Sequence, residues 1–301
     1  MSRTQNLLDT LAARPLQCDG ATGTQLQQLG LRPGESCERW VTDHPDRVKL
    51  VHQRYLDAGA DLLTTNTFGG TALALAAHGL AERAADINRD AARLAREVAG
   101  ERVWVLGDIG PFGGILEPFG ETEPPAAAAA FRAQAAALLE GGADALLVET
   151  MSDPAEAALA IAAARGAGAR LVIATFAFQH TPSGIRTMMG ADVPAAVRAA
   201  LDAGADVVGA NCGTQLSLDD YAALCAQLLA AANGAPVIVQ PNAGSPERDG
   251  DRIIYRTTPE DFAAAAARYI RLGARIAGGC CGTTPAHIAA SAVVIKGQVS
   301  G

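Results

Sequence analysis

A four-residue phrase recurs along the chain and constrains its fold more than any other feature. Each copy follows an Ala-rich stretch and precedes a short run of Leu or β-branched residues. Its glycine suits the left-handed conformation that ends a helix, and the run that follows is typical of a buried parallel strand. The copies are 58–61 (AGAD), 141–144 (GGAD), 167–170 (AGAR), 203–206 (AGAD) and 272–275 (LGAR).

If each copy marks the end of a helix and the start of a strand, the chain divides into eight strand–helix units. The predicted strands are 16–19, 62–68, 103–108, 145–150, 171–178, 207–212, 237–242 and 275–280. The predicted helices between them are 45–58, 80–98, 124–141, 153–166, 192–203, 218–232 and 258–272. Eight such units in 301 residues predict one α/β domain over residues 1–301, a closed (β/α)8 TIM barrel. An open doubly wound sheet is the alternative, and the Pro- and Gly-rich stretch 111–125 is predicted to be an active-site loop.

Charge and hydropathy narrow the classes of function. The formal net charge is −8 and no basic run is present, so we expect no nucleic acid partner. The apolar runs are too short or too interrupted for a membrane span. Residues 1–15 have the pattern of a short amphipathic helix and lack a secretion signal, so a cytoplasmic location is expected. In that compartment the six cysteines are expected to be thiols or metal ligands.

Polar residues collect where the predicted strands end. In a barrel of this kind the chemistry lies at the carboxyl ends of the strands, so these residues are candidates for an active site. Some of them have a plainer explanation as helix N-caps, which we assign to Asp153 and Thr258 and allow for Asp108. The residues at the strand ends are Asp19, Asn66, Asp108, Glu149, Cys212, Asn242, Cys280 and Cys281.

Three cysteines carry the sharper signal. Cys212 ends the sixth predicted strand, and Cys280 and Cys281 end the eighth, so three thiols can converge above the seventh. Three thiolates suit Zn²⁺, which takes soft ligands in a tetrahedron and keeps one open position in catalytic sites. A vicinal disulfide and inert buried thiols are the alternatives. Cys18, Cys37 and Cys225 are assigned to structural positions.

At this point the chain resembles the homocysteine S-methyltransferase family over nearly its full length. That family includes the homocysteine-binding domain of cobalamin-dependent methionine synthase, betaine–homocysteine methyltransferases and S-methylmethionine-dependent enzymes. The final motif, with Asn-Cys upstream, is the most specific. The matching motifs are 19–24 (DGATGT), 65–68 (TNTF), 149–150 (ET), 209–213 (GANCG) and 279–283 (GCCGT).

The resemblance implies roles for individual residues. Cys212, Cys280 and Cys281 match the zinc ligands through which the enzyme acts, and Asn242 resembles a residue that takes the fourth zinc position before homocysteine arrives. Glu149 matches the acid that binds the ammonium group of homocysteine, and Asp19 the acid near the amino-acid end. The substrate-binding set implied in this way is Asp19, Gly20, Asn66, Glu149 and Asn211.

The expected reaction is transfer of a methyl group to the thiol of L-homocysteine, which gives methionine. Residues 107–111 and 240–244 look more like the methionine synthase domain, so the favoured donor is a methylcorrinoid on a separate partner protein. Betaine or S-methylmethionine is the alternative donor. Against betaine, Thr150 and Phe68-Gly69-Gly70 depart from the animal betaine enzymes, which by this family resemblance carry at the same positions Tyr and aromatic groups suited to a quaternary ammonium.

Other functions stay open at this point. The chain fits a homocysteine- and zinc-binding subunit of a split methionine synthase without chemistry of its own, and it also fits an enzyme that methylates another thiol or a selenol. A barrel hydrolase or aldolase is disfavoured, because no Lys and no His pair ends a predicted strand.

Overall fold

The computed structural model describes residues 3–250 and 252–297. In these ranges eight parallel strands form one sheet, in the order β1-β12-β9-β8-β5-β4-β3-β2. A parallel bridge between Cys18 and Leu62 joins the two edge strands and closes the barrel. The barrel strands are β1 (Leu16–Gln17), β2 (Leu62–Thr64), β3 (Trp104–Ile109), β4 (Ala145–Met151), β5 (Val172–Phe176), β8 (Val207–Asn211), β9 (Val237–Gln240) and β12 (Ile276–Ala277).

Helices surround the barrel, as the repeated strand–helix pattern predicts. The α-helices are α1 (Arg3–Ala13), α2 (Thr22–Gln28), α3 (Trp40–Asp43), α4 (Pro45–Asp57), α5 (Ala72–Ala76), α6 (Ala84–Ala99), α7 (Pro124–Glu140), α8 (Pro154–Gly166), α9 (Val193–Asp202), α10 (Leu218–Ala231), α11 (Pro259–Leu272) and α12 (Pro285–Gly297). None of the helices in the described ranges has the length and apolar character needed to cross a membrane.

The aspartates of the recurring phrase hold the strands at their amino ends. Asp61 Oδ2 accepts a hydrogen bond from Gln17 N at 2.9 Å and forms an ion pair with Arg14. In the same way, Asp144 accepts from the backbone N–H of Val105, and Asp206 from that of Val172, each at 2.8 Å. In these three copies the repeated segment ends a helix, and its aspartate links the start of the next strand to the neighbouring strand.

The barrel interior changes from apolar to polar along the strands. Leu106 and Leu147 belong to the buried cluster that fills the barrel. Because side chains alternate along a strand, the residue two positions on faces the same interior. In five strands that residue is polar and lies nearer the carboxyl end: Thr64, Asp108, Glu149, Thr175 and Gln240. The mouth of the barrel is therefore lined with hydrogen-bonding groups.

The closed barrel is confirmed, and the differences from the predicted elements are local. Two short antiparallel hairpins rise from loops after barrel strands: β6 (Phe178–Thr181) with β7 (Gly184–Thr187), and β10 (Glu247–Asp249) with β11 (Arg252–Ile254). The fifth predicted strand, 171–178, ends earlier than expected because the chain turns into the first of these hairpins after Phe176.

Candidate metal centre and substrate cavity

A cavity of about 340 Å³ opens at the carboxyl ends of the barrel strands. Its walls contain most of the residues singled out in the sequence: Asp19, Gly20, Asn66, Glu149, Cys212, Cys280 and Cys281. Asn211 and Asn242 lie outside the wall and contact residues that form it. The carboxyl ends of six barrel strands (β1, β2, β3, β4, β8 and β9), the loop at 37–38 and the turn before α12 thus meet at one place.

The three thiols predicted to converge do so. The sulfur atoms of Cys212, Cys280 and Cys281 all lie within 4.8 Å of one another. Cys212 Sγ is 3.7 Å from Cys281 Sγ, and Cys280 Sγ is 4.0 Å from the same sulfur. All six cysteines are free thiols, so the adjacent pair forms no disulfide.

These distances fit a tetrahedral zinc site. Ligand sulfurs at the usual zinc–sulfur length of ~2.3 Å stand roughly 3.8 Å apart around a tetrahedron. The neighbouring Asn242 supplies a second observation. Its amide nitrogen donates to Cys212 O at 3.0 Å, which fixes the side chain, while its buried Oδ1 has no hydrogen-bond partner in the described part of the chain. Three soft ligands and one hard, unsatisfied oxygen suit Zn²⁺.

The thiols share charge unequally. Hydrogen bonds from Cys212 and Cys280 lower the pKa of the Cys281 thiol to about 3. The pKa of Cys280 is raised well above its usual value by its hydrogen bonds with Cys212 and Cys281 and by burial. Hydrogen bonding among the thiols thus favours the thiolate form at Cys281, and a bound cation would favour it at all three.

The backbone is strained at one of these cysteines and at one neighbouring residue. Cys212 and Thr150 adopt positive φ angles of 58° and 59°. Such angles are uncommon for residues other than glycine and are outliers for a β-branched threonine. Thr150 is held there because its N–H donates to Asn211 Oδ1 at 2.9 Å. The irregularity in β4 between Val148 and Met151 is thus fixed by a residue of β8.

Asn211 also orients Glu149. The amide nitrogen of Asn211 donates to Glu149 Oε2 at 2.9 Å and to Thr150 Oγ1 at 2.7 Å. Its Oδ1 accepts from Thr175 Oγ1 at 2.8 Å. Burial, together with the charges of Cys281 and Asp19, raises the pKa of Glu149 to about 8. A cationic group beside this carboxylate would oppose that shift.

Asp19 joins the first two strands of the barrel. Its carboxylate accepts from Thr64 N at 2.7 Å and from Thr64 Oγ1 at 2.8 Å. Burial raises the pKa of Asp19 to about 7, against the lowering effect of these hydrogen bonds. A carboxylate has about four acceptor positions, so Asp19 keeps capacity for a ligand. At Gly20 a Cβ atom would lie 2.6 Å from Thr283 Oγ1, which explains the need for glycine.

Asn66 holds a loop whose importance the sequence did not reveal. Its amide nitrogen donates to Cys37 O at 2.7 Å, and Glu38 Oε1 accepts from Gly69 N at the same distance. Cys37 and Glu38 therefore line the cavity although no strand end predicts them. Cys18 and Cys225 are buried in the core, as expected, whereas Cys37 is half-buried at the cavity wall.

The N-cap explanation is confirmed for Asp153 and Thr258 and is wrong for Asp108. Asp153 and Thr258 accept hydrogen bonds from Ala155 N and Asp261 N at the starts of α8 and α11. Asp108 instead lies within β3, with its side chain in the cavity wall. Two residues further along β3 than Leu106, it faces the barrel interior, and the period of two could have revealed this.

Fold and site together define a (β/α)8-barrel protein with a soft-metal thiol cluster at the face where such barrels carry their chemistry. A sequence model of the homocysteine S-methyltransferase family matches residues 16–295. The chain therefore belongs to the homocysteine S-methyltransferase family.

Individual relatives agree with this assignment. The chain is 36% identical over 299 residues to methionine synthase of Mycobacterium tuberculosis and 35% identical over 305 residues to that of Mycobacterium leprae. These alignments cover 94% of this chain and 25% and 24% of the relatives, so the chain spans about a quarter of their length.

Solved structures show the same architecture. The metallated form of the homocysteine methyltransferase MmuM from Escherichia coli superposes with a TM-score of 0.78 at 25% identity, covering 96% of this chain and 98% of that one. A methyltransferase from Methanosarcina mazei shares the fold, with a TM-score of 0.63 at 10% identity over 99% of both chains.

Proposed function

We propose that this protein transfers a methyl group to the thiol of L-homocysteine with the help of Zn²⁺ held by Cys212, Cys280 and Cys281. The observation that carries the proposal is the convergence of three sulfurs within 4.8 Å at the mouth of a cavity that also contains carboxylates. Family membership and the methionine synthase relatives support homocysteine as the acceptor and methionine as the product.

The physical need for a metal follows from the acceptor. A free thiol has a pKa of about 8.5, so little of it is the nucleophilic thiolate at neutral pH. Bound Zn²⁺ would favour the deprotonated form of the homocysteine thiol and hold its sulfur towards the methyl donor. The buried Oδ1 of Asn242 is a candidate fourth ligand in the absence of homocysteine.

The side chains of the cavity would bind and orient the amino acid. Glu149, held by Asn211, would accept the ammonium group, and Asp19 would assist at the same end of the substrate. Backbone N–H groups near Gly20 would bind the carboxylate, and Asn66 would keep the adjoining loop in place. Such positioning of two reactants lowers the barrier by several kcal/mol, since alignment is achieved before reaction.

For the donor, we propose a methylcorrinoid carried by a separate protein. The 36% identity to methionine synthase supports this choice, as do residues 107–111 and 240–244, which look like that enzyme's homocysteine domain. The chain spans about a quarter of that relative's length.

A small cationic donor such as betaine or S-methylmethionine is the second candidate. No Lys, Arg or His belongs to the cavity wall in the described ranges, whereas four acidic residues do. The aromatic ring of Phe68, which is 43% exposed, also lines the cavity and can contact a cationic methyl group.

A donor panel tests the reaction. Protein with homocysteine and zinc is offered a methylcorrinoid protein, betaine or S-methylmethionine, and methionine is measured. Turnover with betaine alone would exclude the corrinoid requirement, and inactivity with each small donor, together with co-purification of a corrinoid protein, would favour a subunit of a split enzyme. Selenohomocysteine and other thiols serve as competing acceptors.

Two variants test the assigned residues. The wild-type protein should contain about one zinc per chain, because three thiolates converge, and Cys280→Ala should lose it. Glu149→Gln should keep its zinc and bind homocysteine poorly. Unchanged homocysteine affinity in Glu149→Gln would show that Glu149 does not bind the substrate. Retained zinc in Cys280→Ala would show that the three thiols are not the zinc site.

A further inference from the structure

The four carboxyl groups of the cavity differ in how far the protein already uses them. Asp19 accepts two hydrogen bonds from Thr64, and Glu38 accepts one from Gly69 N and one from Ser36 Oγ, each at 2.7 Å. Both of these acids therefore tie together segments of the cavity wall. Glu149 receives one hydrogen bond, from Asn211 at 2.9 Å.

Asp108 is the exception among them. The residue is only 4% exposed, and its Oδ1 is buried with no hydrogen-bond partner in the described part of the chain. An unsatisfied acceptor of this kind costs about 1–3 kcal/mol, more when it is charged. Most buried polar atoms of native proteins have a hydrogen-bond partner, so an oxygen that lacks a protein partner is a candidate for binding a ligand.

Hydrogen bonds fix the backbone of Asp108 within β3, and its side chain lies in the cavity wall. Its N–H donates to Thr65 Oγ1 at 2.9 Å, and its carbonyl oxygen accepts from Thr67 Oγ1 at 2.7 Å and from Gln134 Nε2 at 3.2 Å. These three contacts fix both the N–H and the carbonyl group of Asp108. Its unsatisfied Oδ1 is consequently held in a preorganised position on β3.

Asp108 and Glu149 lie on neighbouring strands. β3 and β4 pair in parallel, with Asp108 opposite Leu147, so the two acids face the same interior two positions apart in register. No cation of the chain lines the cavity in the described ranges, and the negative charge of Glu149 adds to burial in raising the pKa of Asp108. A ligand that brings positive charge and N–H donors would satisfy both carboxyl groups.

We infer that Asp108 is a further substrate-binding residue, which together with Glu149 binds the ammonium group of the amino-acid substrate. The inference rests on the proposed function, since it takes homocysteine as that substrate. An ammonium group has three N–H donors, which a buried acceptor requires, whereas a quaternary ammonium or a sulfonium has none. The ammonium group of the amino-acid substrate can therefore supply the N–H donors that Asp108 lacks.

The test compares two ligands that differ in one group. L-homocysteine and 4-mercaptobutanoate share the thiol and the carboxylate, and only the first has an ammonium group. Their dissociation constants are measured by calorimetry on the zinc-loaded full chain, in wild type, in Asp108→Asn and in Asp108→Glu. Glu156→Gln is the matched control, because Glu156 is a buried acid outside the cavity wall whose Oε1 accepts a hydrogen bond from Phe112 N at 2.8 Å.

In Asp108→Asn the preference for homocysteine over 4-mercaptobutanoate should fall about tenfold or more, since a charge-assisted hydrogen bond is lost. Asp108→Glu, which keeps the charge, should retain more of the preference, and Glu156→Gln should not change it. An unchanged preference in Asp108→Asn, or equal weakening of both ligands, would overturn the inference. Zinc content and thermal unfolding of each variant show whether it is folded.

The proposed function and the inference fail in different ways. If the zinc-loaded wild type does not bind homocysteine, the proposed function is wrong and the role of Asp108 is wrong with it. If the wild type binds homocysteine and Asp108→Asn binds it equally well, only the inference is wrong.

Discussion

Replacing Asn211 by alanine tests whether this buried amide positions Glu149, the acid proposed to bind the substrate. Asn211 is fully buried, and its side chain bonds Glu149, Thr150 and Thr175. The substitution leaves the N–H of Thr150 and the hydroxyl of Thr175 without their acceptor and frees one oxygen of Glu149. At about 1–3 kcal/mol for each buried group that stays unsatisfied, the free energy of unfolding should fall by roughly 3–5 kcal/mol.

The functional effect is separable from the loss of stability. With its hydrogen bond to Asn211 gone, Glu149 can rotate away from the substrate, so homocysteine should bind about tenfold more weakly. The thiols stay in place, and zinc content should hold. Urea unfolding measures stability, calorimetry with homocysteine measures binding, and metal analysis measures zinc.

Thr175→Val is the matched control for this variant. It removes the hydrogen bond to Asn211 Oδ1 and leaves the one from Asn211 to Glu149 intact. Stability should fall by about 1 kcal/mol with homocysteine affinity unchanged. If Asn211→Ala is destabilised as expected but binds homocysteine as well as Thr175→Val does, Asn211 has only a structural role and the reasoning is refuted.

Two further predictions concern the scaffold. Both ring nitrogens of the buried His52 lack a partner in the described residues, and burial lowers its pKa from 6.5 to about 4. The unfolded chain therefore takes up a proton first, and the wild type should lose up to about 3 kcal/mol of stability as pH falls from 6.5 to 4. Urea unfolding of His52→Leu should show less of this loss, and equal pH dependence in both proteins would contradict it. At Gly209 a Cβ would lie 1.9 Å from Ile238 O, so Gly209→Ala should force β8 from β9 and lower stability by about 3 kcal/mol or more in thermal unfolding, where an unchanged midpoint would refute the clash.

Local chemistry in the sequence was enough to predict the barrel. The recurring phrase predicted helix ends and strand starts because glycine after a helix and an apolar run after that glycine are local signals. The same phrase did not reveal why its aspartates recur. Asp61, Asp144 and Asp206 bond the first residues of strands that lie dozens of positions earlier, which only pairing of the strands brings close.

Some residues of the candidate site could likewise be predicted from the sequence, and others could not. The convergence of Cys212, Cys280 and Cys281 could be predicted, because the strand ends of a parallel barrel must meet at one face. The wall formed by Cys37 and Glu38 could not, since a loop between helices carries no periodic signal and reaches the cavity through the bonds of Asn66 and Gly69.

By itself, the amino-acid sequence determined the class of fold, the face that carries the chemistry and the three thiols, because each depends on residue type and spacing along the chain. Only the tertiary structure decided which acids are already satisfied. Asp19, Glu38, Asp108 and Glu149 are all acidic residues, yet hydrogen bonds from other segments occupy three of them to different degrees and leave Oδ1 of Asp108 without a partner in the described part of the chain. Hydrogen-bond satisfaction is a property of contacts in space, and it separates the acids that build the cavity from those that remain for a ligand.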